Sequence, residues 1–131
     1  MIKDISSYTE ITSLKVIGGT NVSMCREDLY KRPHIVIGTP GRVLDMIQRR
    51  YLFTEHIENI VLDEADEMLS YGFKDSIHDI IQRMPKTSQI CLFSATLPED
   101  ILELTTKFMN EPEKVLVKKE QLTLEGIQQF F

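Results

Sequence analysis

The sequence predicts an α/β fold, with a parallel sheet and helices on both of its faces. Four short apolar runs, rich in Val, Ile, Leu or Phe and without polar alternation, are typical of buried parallel strands; they span residues 14–17, 34–37, 59–62 and 89–93. Helical patterns lie between the runs. Strands that alternate with helices favour right-handed crossovers, which place helices on each side of the sheet.

Two helical segments have a clear apolar face. Apolar residues from Ile77 to Met84 recur at i, i+3, i+4 and i+7, and a second helix is predicted over residues 98–109. Residues 114–117 form a fifth apolar run, which is a candidate strand. The polar stretch after it, residues 118–125, indicates a linker, so the chain is expected to be part of a longer one.

Composition excludes several classes of protein. A chain of 131 residues with 42% hydrophobic and 27% charged residues is typical of one globular domain. The net charge of −5 excludes a surface coated in Lys and Arg, so any contact with nucleic acid must be local. No apolar stretch approaches the roughly eighteen residues of a membrane span. Cys25 and Cys91 lack metal or redox spacing, which predicts reduced thiols and no disulfide partner.

Each of the first four apolar runs is followed by a cluster of small or polar residues. The clusters are Gly18-Gly19, Thr39-Pro40-Gly41-Arg42, Asp63-Glu64-Ala65-Asp66 and Ser94-Ala95-Thr96. In an open α/β sheet, ligands bind at the edge where the carboxyl ends of the strands lie. The placement of the clusters therefore predicts a functional site along that edge.

Asp63 and Glu64 close a strongly apolar strand. Two carboxylates at that position can share a metal ion with a nucleotide phosphate. In such a site Asp63 would hold Mg²⁺ through water, and Glu64 would orient and deprotonate the attacking water. The alternative is that both residues only cap the helix predicted at residues 67–69, because the positive N-terminus of a helix favours acidic side chains.

The cluster at residues 39–42 combines an N-cap residue, a Pro suited to the first helical position and a Gly that lets a ligand approach. Its backbone N–H groups and Arg42 can bind a phosphate. The alternative is an ordinary capped helix with Arg42 in solvent. Similarly, Gly18 and Gly19 either admit a nucleic-acid backbone or form a tight turn.

The last cluster also has two interpretations. Ser94 and Thr96 either relay hydrogen bonds between sites, or Thr96 forms a capping box with Glu99. One absence bears on all the clusters: no G-x-x-x-x-G-K-[ST] sequence occurs, so no loop of this chain is predicted to cradle the β- and γ-phosphates of a nucleotide. ATP hydrolysis would need residues from outside this sequence.

The four clusters, in this order, resemble the motifs of the DEAD-box family of ATP-dependent RNA helicases, which is named after the letters at residues 63–66. The match extends over essentially the whole chain, and the segments at residues 17–22, 61–69, 72–74 and 116–127 are similar to the initiation factor 4A group of that family. The resemblance implies a RecA-like fold of the P-loop NTPase type, present as an incomplete domain. Residues 1–117 would be the C-terminal part of the first domain, without its Q motif and Walker A loop, and residues 118–131 would begin the linker to the second.

The resemblance also implies roles for the clustered residues, with ATP and Mg²⁺ as cofactors. Asp63 and Glu64 would coordinate Mg²⁺ and activate water. Interdomain coupling would fall to Asp66, Ser94 and Thr96, which would link ATP binding to RNA unwinding. The residues that would grip the RNA sugar-phosphate backbone, largely without sequence preference, are Gly18, Gly19, Thr39, Pro40, Gly41 and Arg42.

At the level of the whole protein, the resemblance implies an RNA helicase that acts in translation initiation or related RNA metabolism, in the cytoplasm or else the nucleus. A scaffold protein of the translation initiation complex would be its partner, and the isolated chain is expected to be inactive. One alternative is a non-catalytic, truncated module that binds RNA or a scaffold protein. Another treats Asp63 and Asp66 as a metal or phosphatase pair in an unrelated α/β protein, but it predicts none of the other clusters.

Overall fold

The computed structural model describes residues 2–116, in which strands and helices alternate. The elements in chain order are α1 Ile2–Ile5, β1 Ser13–Val16, α2 Val22–Tyr30, β2 Ile35–Gly38, α3 Pro40–Gln48, β3 Asn59–Leu62, α4 Ala65–Ser70, α5 Lys74–Gln82, β4 Gln89–Leu92 and α6 Glu99–Phe108. The four predicted strands and the two predicted amphipathic helices are confirmed, with small shifts at their ends.

The strands are parallel, but within the described residues they form two pairs. β1 pairs with β2, with Val16 opposite Gly38, and β3 pairs with β4, with Leu62 opposite Leu92. The expectation that all four strands are buried is wrong. Each strand has one hydrogen-bonded neighbour here, so fewer side chains are covered than in a wider sheet, and Val61 in β3 is 60% exposed.

The core of the first pair lies between β1 and the helices α2 and α3. Val16 and Met46 are completely buried, and Cys25 and Leu29 of α2 pack with them. Burial of an apolar side chain of this size contributes about 1.5–3 kcal/mol. This cluster therefore holds the two helices that follow β1 and β2 against the strands.

Helices α5 and α6 bury the faces that their periodicity predicts. Ile77 and Ile80 of α5 are buried, as are Ile101 and Leu104 of α6. Helix α5 packs against α3, which joins the two strand pairs, and α6 contacts α4. Helices α5 and α6 are thus anchored through apolar side chains.

Three further expectations have structural outcomes. Residues 114–116 form no strand, and residue 117 and the predicted linker at residues 118–131 lie outside the described residues. Between residues 2 and 116, no helix is long and apolar enough to cross a membrane. Both cysteines carry free thiols: Cys25 is buried among apolar side chains, and Cys91 is partly buried in β4.

Candidate nucleotide and RNA site

The acidic cluster forms a tight turn between β3 and α4. Asp63 and Glu64 follow the strand directly, and α4 begins at Ala65. The Ala65 N–H donates to the carbonyl oxygen of Phe93 at 3.0 Å, and the Phe93 N–H donates to that of Leu62 at 2.8 Å. The neighbouring strand β4 therefore fixes the start of α4 relative to β3.

Glu64 has a left-handed backbone, with φ 51° and ψ 49°. This conformation costs a non-glycine residue about 1–3 kcal/mol, and such residues cluster at functional sites. Glu64 occupies the N-cap position of α4 but makes no side-chain capping bond. Glu64 therefore gives the helix no hydrogen-bonded cap, and its side chain is exposed at the end of β3.

Asp63 is also exposed, and its Oδ1 accepts a hydrogen bond from the Glu64 N–H at 3.1 Å. Within residues 2–116, no three His, Cys, Asp or Glu side chains come together in a group that could hold a metal ion. Mg²⁺ needs only one or two protein carboxylates when phosphate oxygens and water complete its shell. The exposed carboxylate of Asp63 fits that requirement, and Mg²⁺ binding by Asp63 remains a prediction.

The structure brings Asp66, Ser94 and Thr96 together. Asp66 Oδ2 accepts hydrogen bonds from the Thr96 hydroxyl at 2.6 Å and the Thr96 N–H at 3.0 Å. The Asp66 N–H in turn donates to Ser94 Oγ at 3.2 Å. These hydrogen bonds tie the start of helix α4 to the loop after β4.

The hydrogen bond from the Thr96 hydroxyl lowers the pKa of Asp66 from 3.8 to about 2, although partial burial opposes this change. Asp66 is therefore a carboxylate at neutral pH. Its second oxygen, Oδ1, is buried and has no hydrogen-bond partner among the described residues. The alternative capping box is wrong, since Pro98 is the N-cap of α6 and Thr96 bonds to Asp66 instead.

The glycine cluster forms a turn between β1 and α2. Gly19 has φ +78°, a conformation that glycine adopts without strain, and no atom lies within 4 Å of a Cβ built on Gly18 or Gly19. The Thr20 hydroxyl closes the turn by donating to the carbonyl oxygen of Ile17 at 2.8 Å. The backbone of this turn is therefore accessible to a ligand at the positions where a side chain would otherwise stand.

The cluster at residues 39–42 begins α3, as predicted. Thr39 is the N-cap, without a side-chain capping bond, and Pro40 is the first helical residue. Pro40 is buried, so its ring starts the helix and offers little surface, and its contact with RNA remains a prediction. Thr39 and Gly41 are exposed, and a Cβ on Gly41 would meet only Phe73 Cε1 at 3.9 Å.

Arg42 links the two predicted RNA-binding clusters. Its Nη1 donates to the Thr20 carbonyl oxygen at 3.0 Å and lies 3.4 Å from Thr20 Oγ1. The alternative in which Arg42 extends freely into solvent is therefore wrong. The structure places Arg42 across the turn that contains Gly18 and Gly19.

Two residues of this region were missed by the sequence patterns. Thr20 is the partner of Arg42, and its only signal is its place directly after the two glycines. A Cβ on Gly38 would collide with the Val16 carbonyl oxygen and come 2.6 Å from Val43 Cγ2, so only glycine fits there. A lone glycine at a strand end is its signal, since it often marks close approach of another backbone.

Comparisons with known proteins identify the family of this chain. The family model for the DEAD/DEAH box helicases matches residues 1–104. The ATP-dependent RNA helicase eIF4A of Candida albicans is 54% identical over 131 residues, which are 100% of this chain and 33% of the relative. That of Aspergillus oryzae is 54% identical over 127 residues, which are 97% of this chain and 30% of the relative. The chain thus spans about a third of the length of these curated relatives.

Solved structures share the fold. A DEAD box protein from the hyperthermophile Methanococcus jannaschii superimposes with a TM-score of 0.80 and 38% identity, over 84% of this chain and 31% of that chain. A hypothetical ATP-dependent RNA helicase from Sulfolobus tokodaii gives a TM-score of 0.79 and 33% identity, over 86% of this chain and 34% of that chain. The predicted RecA-like fold, as an incomplete domain, is confirmed. With its family model matched over most of its length, the chain belongs to the DEAD/DEAH box helicase family.

Proposed function

We propose that the full-length protein is an ATP-dependent RNA helicase with RNA-stimulated ATPase activity, and that this chain supplies part of its first RecA-like domain. The observation that carries the proposal is the turn at the end of β3. There the exposed carboxylates of Asp63 and Glu64 directly precede a helix that Thr96 ties to the loop after β4. The names of the relatives, which are ATP-dependent RNA helicases called eIF4A, support the same activity.

On the nucleotide side, bound ATP and Mg²⁺ supply the phosphoryl group and the charge that neutralises it in the transition state. Asp63 would hold Mg²⁺ through water, because its carboxylate stands exposed at the rim of an apolar strand. Glu64 would orient the attacking water and take its proton. The left-handed backbone of Glu64 sets the direction in which that carboxylate projects.

Asp66, Ser94 and Thr96 would couple the two RecA-like domains. Support comes from the hydrogen bonds that join α4 to the loop after β4, because a shift of the turn that carries Asp63 and Glu64 would be passed to that loop.

RNA would be gripped through its sugar-phosphate backbone. Gly18 and Gly19 leave the turn after β1 open to close approach, and Thr39 and Gly41 expose the start of α3. Arg42 adds the positive charge that phosphate requires. Because none of these groups reads a base edge, binding would be largely independent of sequence, and a local grip of this kind is compatible with a net charge of −5.

The names of the relatives support a role in translation initiation, since they are called eIF4A. We extend this to a cytoplasmic protein that works with a scaffold protein of the translation initiation complex. The alternative of a non-catalytic binding module gains no support from these relatives, which are all named as helicases.

The test is ATP hydrolysis by the full-length protein, with and without single-stranded RNA, for the wild type and Glu64→Gln. Gln keeps the size of the side chain and the same backbone strain but cannot accept a proton. We expect RNA to stimulate the wild type and Glu64→Gln to lose about two or more orders of magnitude in rate, which is the effect of a positioned base. Glu67→Gln is the matched control, because Glu67 is an exposed acid in the helix that follows Glu64.

Two outcomes would contradict the proposal in different ways. A wild-type protein that hydrolyses no ATP in the presence of RNA would remove the enzymatic function and favour the binding module. A Glu64→Gln variant as fast as the wild type and Glu67→Gln would leave the helicase in place but would remove the water-activating role of Glu64.

A further inference from the structure

The contact between Arg42 and Thr20 joins two segments that the proposed function treats as separate RNA contacts. We propose that Thr20 is a positioning residue for RNA binding, which holds the guanidinium of Arg42 across the glycine turn so that the turn and the start of α3 act as one clamp. The proposal rests on the proposed function, because it takes the phosphate of RNA as the ligand of Arg42.

Thr20 acts through two groups. Its carbonyl oxygen accepts from Arg42 Nη1 at 3.0 Å, with the hydroxyl oxygen 3.4 Å from the same nitrogen. The hydroxyl also donates to the Ile17 carbonyl oxygen at 2.8 Å, which fixes the turn on which the Thr20 carbonyl is mounted. Removal of the hydroxyl would thus weaken one contact with Arg42 directly and loosen the support of the other.

Both contacts leave donors free for a ligand. They use Nη1 alone, so Nε and Nη2 of the planar guanidinium can still bind a phosphate with two parallel hydrogen bonds. The acidic residue one turn along α3, Asp45, does not compete for Arg42, since it pairs with Arg49 at 2.6 Å. Arg42 is therefore held in place by neutral oxygens and keeps its charge available.

Holding the side chain in advance favours binding. A long Arg side chain loses rotamer freedom when it binds a phosphate, and a guanidinium that is already ordered loses less at that moment. The two glycines directly precede Thr20, and the exposed start of α3 directly precedes Arg42, so the contact between Thr20 and Arg42 also sets the separation between the two segments.

The test is a double-mutant cycle on the full-length protein, with the affinity for a fluorescent single-stranded oligouridylate as the readout. Thr20→Val removes only the hydroxyl, and we expect it to weaken binding about fivefold in the wild-type background, the size of one lost hydrogen bond. In an Arg42→Met background the same change should have almost no effect. Thr20→Ser should restore binding, and Thr106→Val, which removes an exposed hydroxyl on α6, is the matched control.

Equal losses in both backgrounds would overturn the proposal, because Thr20 would then act only on the shape of the turn. No loss for Thr20→Val in the wild-type background would overturn it as well. If Thr20→Val does not fold, Arg42→Lys replaces it: the charge is kept but the fork is lost, and binding as tight as that of the wild type would refute the clamp. If the wild type hydrolyses ATP and the Arg42→Met variant binds RNA as tightly as the wild type, this inference is overturned and the enzymatic function still stands.

Discussion

Glu64 combines an exposed carboxylate with a backbone conformation that glycine would adopt more easily. The sequence indicates the carboxylate, because an Asp-Glu pair at the end of an apolar strand can share a metal ion with a nucleotide phosphate. It cannot indicate the left-handed backbone, because that depends on the hydrogen bonds from Ala65 and Phe93 to the neighbouring segments. The same limit applies to Thr20, whose partner Arg42 lies 22 residues further along the chain.

The strain at Glu64 can be measured through the stability of matched variants. We expect Glu64→Gly to be more stable than Glu64→Ala by about 1 kcal/mol, since only Ala retains the penalty of the left-handed region. At Glu67, inside α4, the order should reverse, with Gly less stable than Ala by about 1 kcal/mol. Urea unfolding of the four full-length variants measures both differences, and the same order at both positions would contradict the assigned backbone of Glu64.

At the scale of elements, apolar periodicity predicts α5 and α6 well because it reports the face that packs. It does not predict which helices meet. Lys74 at the start of α5 binds Asp100 at 2.6 Å and Glu103 at 2.7 Å on α6, and these contacts raise the pKa of Lys74 through hydrogen bonds to both carboxylates. The side chains of Lys74, Asp100 and Glu103 are 42%, 57% and 55% exposed, and ion pairs open to solvent in this way contribute little to stability.

The attachment of α6 should therefore depend on its apolar face. We expect Ile101→Ala, at a completely buried position, to lower the free energy of unfolding by about 2–5 kcal/mol. Lys74→Met should have a much smaller effect, and added salt should reduce even that effect. Urea unfolding of the full-length variants compares the two, and a larger loss for Lys74→Met than for Ile101→Ala would show that the ion pairs hold the helix.

At the scale of the whole molecule, the α/β class, the parallel strands and the clusters at the strand ends all follow from the sequence. The division into two strand pairs does not follow from the sequence, because an apolar run predicts a strand but not the strand with which it pairs. Helix α3 connects the pairs. Its first residues carry the predicted RNA contacts, and it packs against α5, which follows the acidic turn and α4 in the chain. Nucleotide and RNA sites would thus share one set of packed helices.

The contact between Asp66 and Thr96 is where the proposed coupling of ATP hydrolysis to RNA unwinding can be tested most directly. The measurement is the ratio of short RNA duplex separated to ATP hydrolysed by the full-length protein, for the wild type, Thr96→Val and the control Thr106→Val. Loss of a charge-assisted hydrogen bond of about 1.5–3 kcal/mol predicts a ratio about tenfold or more below that of the wild type for Thr96→Val. An unchanged ratio for Thr96→Val would mean that the bond between α4 and the loop after β4 does not carry the coupling.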